Sequence, residues 1–316
     1  MRIHSFWLGL SICFFFACSS KHNDPIEGQA IQLIPVKRFD TAFFAMDTNQ
    51  ISRGIASLYE RYPQFSADYF SKILQADPVR DSQKIKRYFK IYLPIYKNAL
   101  KVNAPKSINT DLNKAFARFH FYFPKYKMPP ELIYYISPLL TSFNVLSDHY
   151  IGVGLQISTF DHYIPQQIPF HCIQNVLDDY LFNKRSEPEL VYQMIEAGKR
   201  QYMLETISLH TPDTLLWDYS SVQLKAVKEQ ESAIWQYLVE QKMLLSKERI
   251  DALNTLGDAD QNSLLGAPLP GNIGKYIGYK MVSAYMKKQR KSTYDDLEKL
   301  AETPASVIYA EAGYQP

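Results

Sequence analysis

The chain opens with a single charge, Arg2, and then runs apolar from Phe6 to Ala17, where it meets Cys18. A basic start, about a dozen apolar residues and a closing small residue describe an export signal, too short to cross a bilayer. No other apolar stretch reaches the roughly 20 residues a spanning helix needs. The remainder of the chain must therefore fold in an oxidising compartment. Of the 3 cysteines, Cys13 leaves with the signal and Cys18 closes it, so Cys172 alone remains and no intrachain disulfide can staple the fold. The core has to carry it unaided. With 23 Tyr and 18 Phe, it is expected to be aromatic, with hydroxyls reaching its edge. A formal net charge of +3 gives no electrostatic footprint for nucleic acid.

Phe14-Phe15-Phe16-Ala17-Cys18-Ser19 resembles the lipobox of bacterial lipoproteins, with Phe15 where leucine is usual. That resemblance implies cleavage before Cys18, a diacylglycerol on its thiol and a fatty acid such as palmitate on its freed amine. One chain anchors only marginally, at about 0.8 kcal/mol per buried methylene, whereas three hold permanently. Residues 1–17 are then the signal, 18–30 a polar tether and 31–316 one globular domain. The tether carries Pro25 and Gly28, and Ser19–Ala30 reaches at most about 40 Å. It is expected to add nothing to the core, so a chain starting near Asp24 should fold normally. Ser19, where an aspartate retains many lipoproteins in the inner membrane, favours the outer one, with the domain facing the periplasm.

Ile31–Val36 alternates weakly and is expected as a first strand, followed by a short helix over Thr41–Met46. Helices are expected over Ser52–Tyr62, Ala67–Gln75, Asp81–Ala99 and Thr110–Tyr122, with Pro94 kinking or ending the third. Beyond Pro129-Pro130, the segments Glu131–Ser137, Phe143–Ser147 and Tyr150–Ile157 are short, apolar and β-branched or aromatic, which predicts strands. Gly152 and Gly154 share one face of the last, leaving its backbone open to something that approaches. Helices return over Ile168–Phe182, after a capping box at Ser186-Glu187-Pro188-Glu189, over Val222–Met243, and from Asn272 to about Gln289. Gly198, Gly274 and Gly278 are expected where helices touch closely. The class is α+β, mostly helical around a small sheet.

Motifs for chemistry fail one by one. The helix after the glycine strand holds His171 and Cys172, but His171-Cys172-Ile173-Gln174-Asn175 lacks the glutamate and second histidine of a metalloprotease helix. His120, His149, His162 and His210 occur singly. No metal is expected, and Cys172 is expected to be a small buried residue. Gly152-Val153-Gly154 lacks the third glycine of a dinucleotide loop. Gly266–Gly271 has the spacing of a phosphate loop, with Asn272 where lysine is required. No Gly-x-Ser-x-Gly elbow occurs. No cofactor is expected. Asp178 and Asp179 point about 100° apart on a helix and are expected to be a solvated face. Lys287-Lys288-Gln289-Arg290-Lys291 suits a helix C-terminus.

Taken in order, the lipobox and Pro35-Val36-Lys37-Arg38-Phe39-Asp40 resemble the start of the gliding-motility lipoproteins called GldB, found in Bacteroidetes. The resemblance runs on through Phe121-Tyr122-Phe123-Pro124, Ile151–Leu155, Met194-Ile195-Glu196-Ala197-Gly198-Lys199 and Pro270–Gly278. It implies a non-enzymatic cell-envelope component of surface gliding, linked to type IX secretion, with other envelope motility and secretion proteins as partners. The strand, the His171 helix and the Gly198 helix also resemble peptidases of zincin-like fold, stripped here of His-Glu-x-x-His. A retained cleft without its metal, or an envelope peptidase, are the two readings this leaves. In the first, Gly152, Gly154 and His171 form the partner surface, an extended segment adding beside the glycine strand.

Overall fold

The computed structural model describes residues 24–102, 105–138, 144–160, 163–164, 166–181, 187–209, 211–258, 269–289 and 296–316. Cys18, His162, His210, Ser186, Gly266 and the Arg290-Lys291 end of the basic run lie outside the described residues.

Strand β1 (Val36–Arg38) passes straight into helix α1 (Phe39–Phe44). The joint is made by its own residues. Arg38 forks onto the buried Asp40, Nε to Oδ1 at 2.8 Å and Nη2 to Oδ2 at 2.6 Å. A bidentate partner and a place in the first helical turn compensate that carboxylate for lost water. After a 3₁₀ turn (Thr48–Gln50) come α2 (Ile51–Arg61) and α3 (Pro63–Asp68), which runs on as a π-helical turn over Tyr69–Ile73. Helices α4 (Ser82–Val102) and α5 (Pro105–Tyr122) precede the remaining strands, β2 (Leu132–Tyr135), β3 (Asn144–Leu146) and β4 (Ile151–Gly154). β4 ends in a 3₁₀ turn over Leu155–Thr159.

The rest is helical: α6 (Gln167–Leu181), α7 (Leu190–Ile207), α8 (Asp213–Trp217), α9 (Ser221–Glu229), α10 (Glu231–Glu240) and α11 (Arg249–Leu256). Helices α12 (Ile273–Gln289), α13 (Asp296–Glu302) and α14 (Ala305–Ala312) close the chain. The fold is α+β, mostly helical with one small mixed sheet.

The sheet order is β1-β2-β4-β3, parallel except for the β3 edge. Ser147 Oγ accepts from the His149 and Tyr150 amides, at 3.2 Å each, which closes the β3–β4 hairpin. Tyr134 faces α5 and hydrogen-bonds Asn109, while Tyr135 faces α3. On that side sits the aromatic core. The Phe39 ring lies 4.7 Å from Phe65 and 4.6 Å from Tyr69, both edge-on. The Tyr69 and Tyr88 hydroxyls reach the Ile136 carbonyl at 3.0 and 2.7 Å, and burial raises the pKa of both. Edge-on pairs add about 0.5–1.5 kcal/mol each beyond area burial.

The first strand, expected over Ile31–Val36, lies at Val36–Arg38, and five further expectations change. β4 is not an open strand: it pairs with β2 on one side and β3 on the other, so no segment can add to it. What approaches Gly152 is internal, since a Cβ there would lie 3.2 Å from Phe65 Cε2 and 3.3 Å from Tyr135 Cε1. Gly154 is buried likewise and turns the chain into the 3₁₀ segment. Second, α4 runs through Pro94, whose face is exposed, so water can take the carbonyl freed one turn back. Stacking of Tyr88 on Tyr92 before it and Phe44 on Tyr96 after it holds both halves. Third, Glu189 stands at the N-cap of α7 with no side-chain cap, not inside its first turn as the capping box requires; the neighbouring Glu187 carboxylate accepts from the Ser306 amide at 3.0 Å. Fourth, the helix expected over Val222–Met243 breaks at Gln230 into α9 and α10, whose Glu231 turns in to meet Tyr276, Tyr314 and Lys280. Fifth, the tether docks from Asp24 onward. Arg118 grips Asp24, and Ile26 is 6% exposed.

Candidate functional site

Among the described residues α7 packs most extensively against α12, and glycines set how close the two come. A Cβ on Gly198 would fall 2.1 Å from the Gly278 carbonyl carbon, and one on Gly278 only 1.7 Å from Met194 O. Gly274 meets side chains instead, those of Thr255 and Leu256 on α11 and of Met194 on α7, while at Gly198 and Gly278 the contact is with backbone. The backbones touch, so any side chain here would have to push the helices apart. The two sequence motifs around Gly198 and Gly278 are thus one joint. Beside it, Lys199, 2% exposed, reaches Glu196 at 2.8 Å and the Thr303 carbonyl at 2.9 Å, tying α7 to the turn after α13.

The joint also fixes what stands beside it on α12. Lys275, one residue past Gly274, points at the end of α8, where its Nζ donates to the Trp217 carbonyl at 3.2 Å. That Nζ lies 5.9 Å from the Trp217 ring centre and 5.7 Å from that of Tyr219, within cation–π range. Gln201 of α7 donates to the Leu216 carbonyl at 2.8 Å and Tyr219 to the Gly271 carbonyl at 2.8 Å, so both walls are pinned. Between them opens a cavity of about 150 Å³, lined by Asp218, Gln223, Asp258, Pro270, Asn272 and Lys275 with the two aromatics.

Its backbone turns sharply at two points. Asp218 (φ 56°) and Asn272 (φ 59°) both hold left-handed conformations, which aspartate and asparagine accept more readily than other non-glycine residues. Asn272 donates to Asp258 Oδ1 at 3.3 Å, and its amide to the Gly257 carbonyl at 2.8 Å. Electrostatically the site is mixed. Burial pulls Lys275 down to about 8; the positive Arg200 adds to that, and Asp218 and Asp258 oppose it. Among the described residues Lys275 has one hydrogen-bond acceptor, and neither Asp218 nor Asp258 has a cation in contact. The cavity thus offers donor capacity on one wall and carboxylate acceptors on the other. A polar group of both kinds, such as a peptide segment carrying its own side chain, suits it.

His171 sits on α6, partly buried, with Nδ1 3.1 Å from Gln174 Oε1. Burial lowers its pKa, which the Gln174 hydrogen bond and the more distant field of Asp218 partly restore, and it is not among the residues that line the cavity. Cys172 points into the core, its thiol pushed up by burial. Asp178 and Asp179 are both exposed, the solvated face expected, and each has a partner there: the first pairs with Arg200, the second accepts from Tyr126 at 2.7 Å. Gly152 and Gly154 are remote from solvent and join none of this. Among the described residues no three His, Cys, Asp or Glu side chains come together as metal ligands. Sequence reasoning misses Trp217, Asp218, Asp258 and Lys275 as site residues. The available signal is Gly271-Asn272 before the α12 motif, where asparagine commonly accepts a left-handed turn.

Neither a curated protein nor a solved structure matches the chain. The family described as gliding motility protein GldB matches it over residues 20–316, which includes β1, both halves of the glycine joint and the Lys275 cleft. The chain belongs to the GldB family of gliding-motility lipoproteins.

Proposed function

We propose that this protein is a non-enzymatic assembly component of the gliding apparatus, linked to type IX secretion. It is anchored through a lipidated Cys18, faces the periplasm from the outer membrane, and captures a segment of a partner envelope protein in the Lys275 cleft. The observation that carries the partner site is Lys275 itself. An ammonium held out of water on one carbonyl acceptor, with Asp218 and Asp258 near it but in no ion-pair contact, is costly to keep, and such groups concentrate where something binds. A cleft that orients polar groups without a nucleophile–base pair suits recognition rather than turnover.

The test is affinity purification from native envelopes of the wild type, Lys275→Met and Cys18→Ser. Wild type should retain an envelope partner, Lys275→Met should stay lipid-labelled while losing it, and Cys18→Ser should escape lipid labelling and cleavage. Full partner recovery with Lys275→Met would remove the cleft from the reading. One zinc per chain, with peptide cleavage lost in His171→Ala, would replace it by the peptidase of zincin-like fold.

A further inference from the structure

The leash between lipid and domain is shorter than composition suggests. Arg118 on α5, 7% exposed, holds Asp24 by both oxygens, Nε to Oδ1 at 3.0 Å and Nη2 to Oδ2 at 2.6 Å. The chain then turns back on itself. Glu27 N donates to Asp24 O at 2.9 Å, Gln29 N to Ile26 O at 3.1 Å, and Gly28 supplies the left-handed residue (φ 75°). Further along, the Ile34 amide donates to Asn113 Oδ1 at 2.7 Å, again on α5. The polar segment from Asp24 to Ile34 is therefore a strap laid on α5, held at both ends by buried side chains.

We infer that this clasp fixes which face of the domain rests on the membrane: the α5 surface around Asp111, Lys114 and Arg118, with the adjoining ends of α6 and α7. The inference rests on the proposed lipid at Cys18. From Cys18 to Asp24 the chain spans six steps, at most about 20 Å. A compact domain of this length is about 50 Å across. A leash of less than half the body's width cannot turn the far side to the lipid. A strap free as far as β1 would reach about 60 Å and impose no orientation. A cavity of about 200 Å³ opens beside Arg118, lined by Asp111, Lys114, Gln166, Phe170 and Ser208, so it too faces the headgroup layer. Exposed Lys114 suits the phosphates there.

Full-length lipidated protein in phosphatidylcholine vesicles with a spin-labelled headgroup lipid provides the test. A fluorophore is placed on Lys114→Cys or on Val79→Cys, which is 85% exposed on the opposite side of the sheet; Cys172 is buried and does not compete. Quenching at position 114 should exceed that at 79 several-fold. Arg118→Ala should bring the two together. A twelve-residue Gly/Ser insertion after Asn23, which leaves every contact of the fold intact, should do so as well. Protein that does not float with vesicles overturns the lipid anchor; protein that floats but quenches equally at both positions overturns the clasp alone.

Discussion

At the residue scale, Lys275 is the side chain whose position is hardest to explain by stability. Its folded pKa of about 8 lies below the unfolded value near 10.4. The unfolded chain therefore binds more protons between those values, and stability should rise as pH climbs from about 8 to about 10.4. Below about 8 the ammonium's desolvation is borne in full, on the order of 3 kcal/mol. Lys275→Met should accordingly be more stable than wild type at pH 7, by up to that amount, and should lose the alkaline rise. Denaturant melts of both proteins at pH 7, 8, 9 and 10 check this; parallel curves would mean the ammonium is solvated. No pattern in the sequence marks this lysine. Its environment is built by Trp217 and Asp218, nearly sixty residues earlier, and periodicity carries no information about such pairs. His171 is legible because it stands alone on an apolar helix, yet it does not line the cleft.

Among elements, the α7–α12 crossing is the most demanding. Gly278→Leu must displace the Met194 carbonyl, backbone that cannot swing aside as a side chain would. The expected loss is about 3 kcal/mol or more, at the upper end for overpacking. Thermal melting reads it directly, and an unchanged midpoint would contradict the backbone contact. Gly54→Leu should be milder, since a Cβ there meets only the flexible Met46 side chain. The glycine joint is readable from sequence because glycines four apart on a helix have few other uses. Most helices are readable too, from their 3.6-residue stripes. The errors fall where a tertiary contact overrides a local signal. Glu231 is drawn to α12, and the helix expected as one is broken into two. Gly152 does mark a face without side-chain cover, but its occupant is Phe65, far away in sequence.

For the whole molecule, the core does without staples and recruits the strap in their place. A soluble chain beginning at Asp24 keeps the Arg118 pair and Ile26. One beginning at Ile31 leaves Arg118 buried without its carboxylate and opens the site of Ile26. Removing one partner of a buried pair costs about 3–5 kcal/mol, and the shorter chain should fall behind by roughly the low end of that range, since Asp24 is a quarter exposed. Comparing urea midpoints of the two chains measures the difference; equal midpoints would make the strap mere decoration. Composition announces the aromatic core but describes the strap as a polar spacer, because its two anchors, Arg118 and Asn113, lie in another helix.

The register of β1 on β2, Val36 beside Leu132, has a consequence for biogenesis. A chain exported N-terminus first delivers its opening strand long before the strand that must lie next to it. Nearly a hundred residues have to follow before the sheet can close, and pairings so distant in sequence form late. The exported segment therefore stays pliable while it is threaded across. The acylation of Cys18 proposed above needs only a few residues and would be finished in that interval. On that proposal the sheet closes on a chain already held at the bilayer, and the domain matures in place.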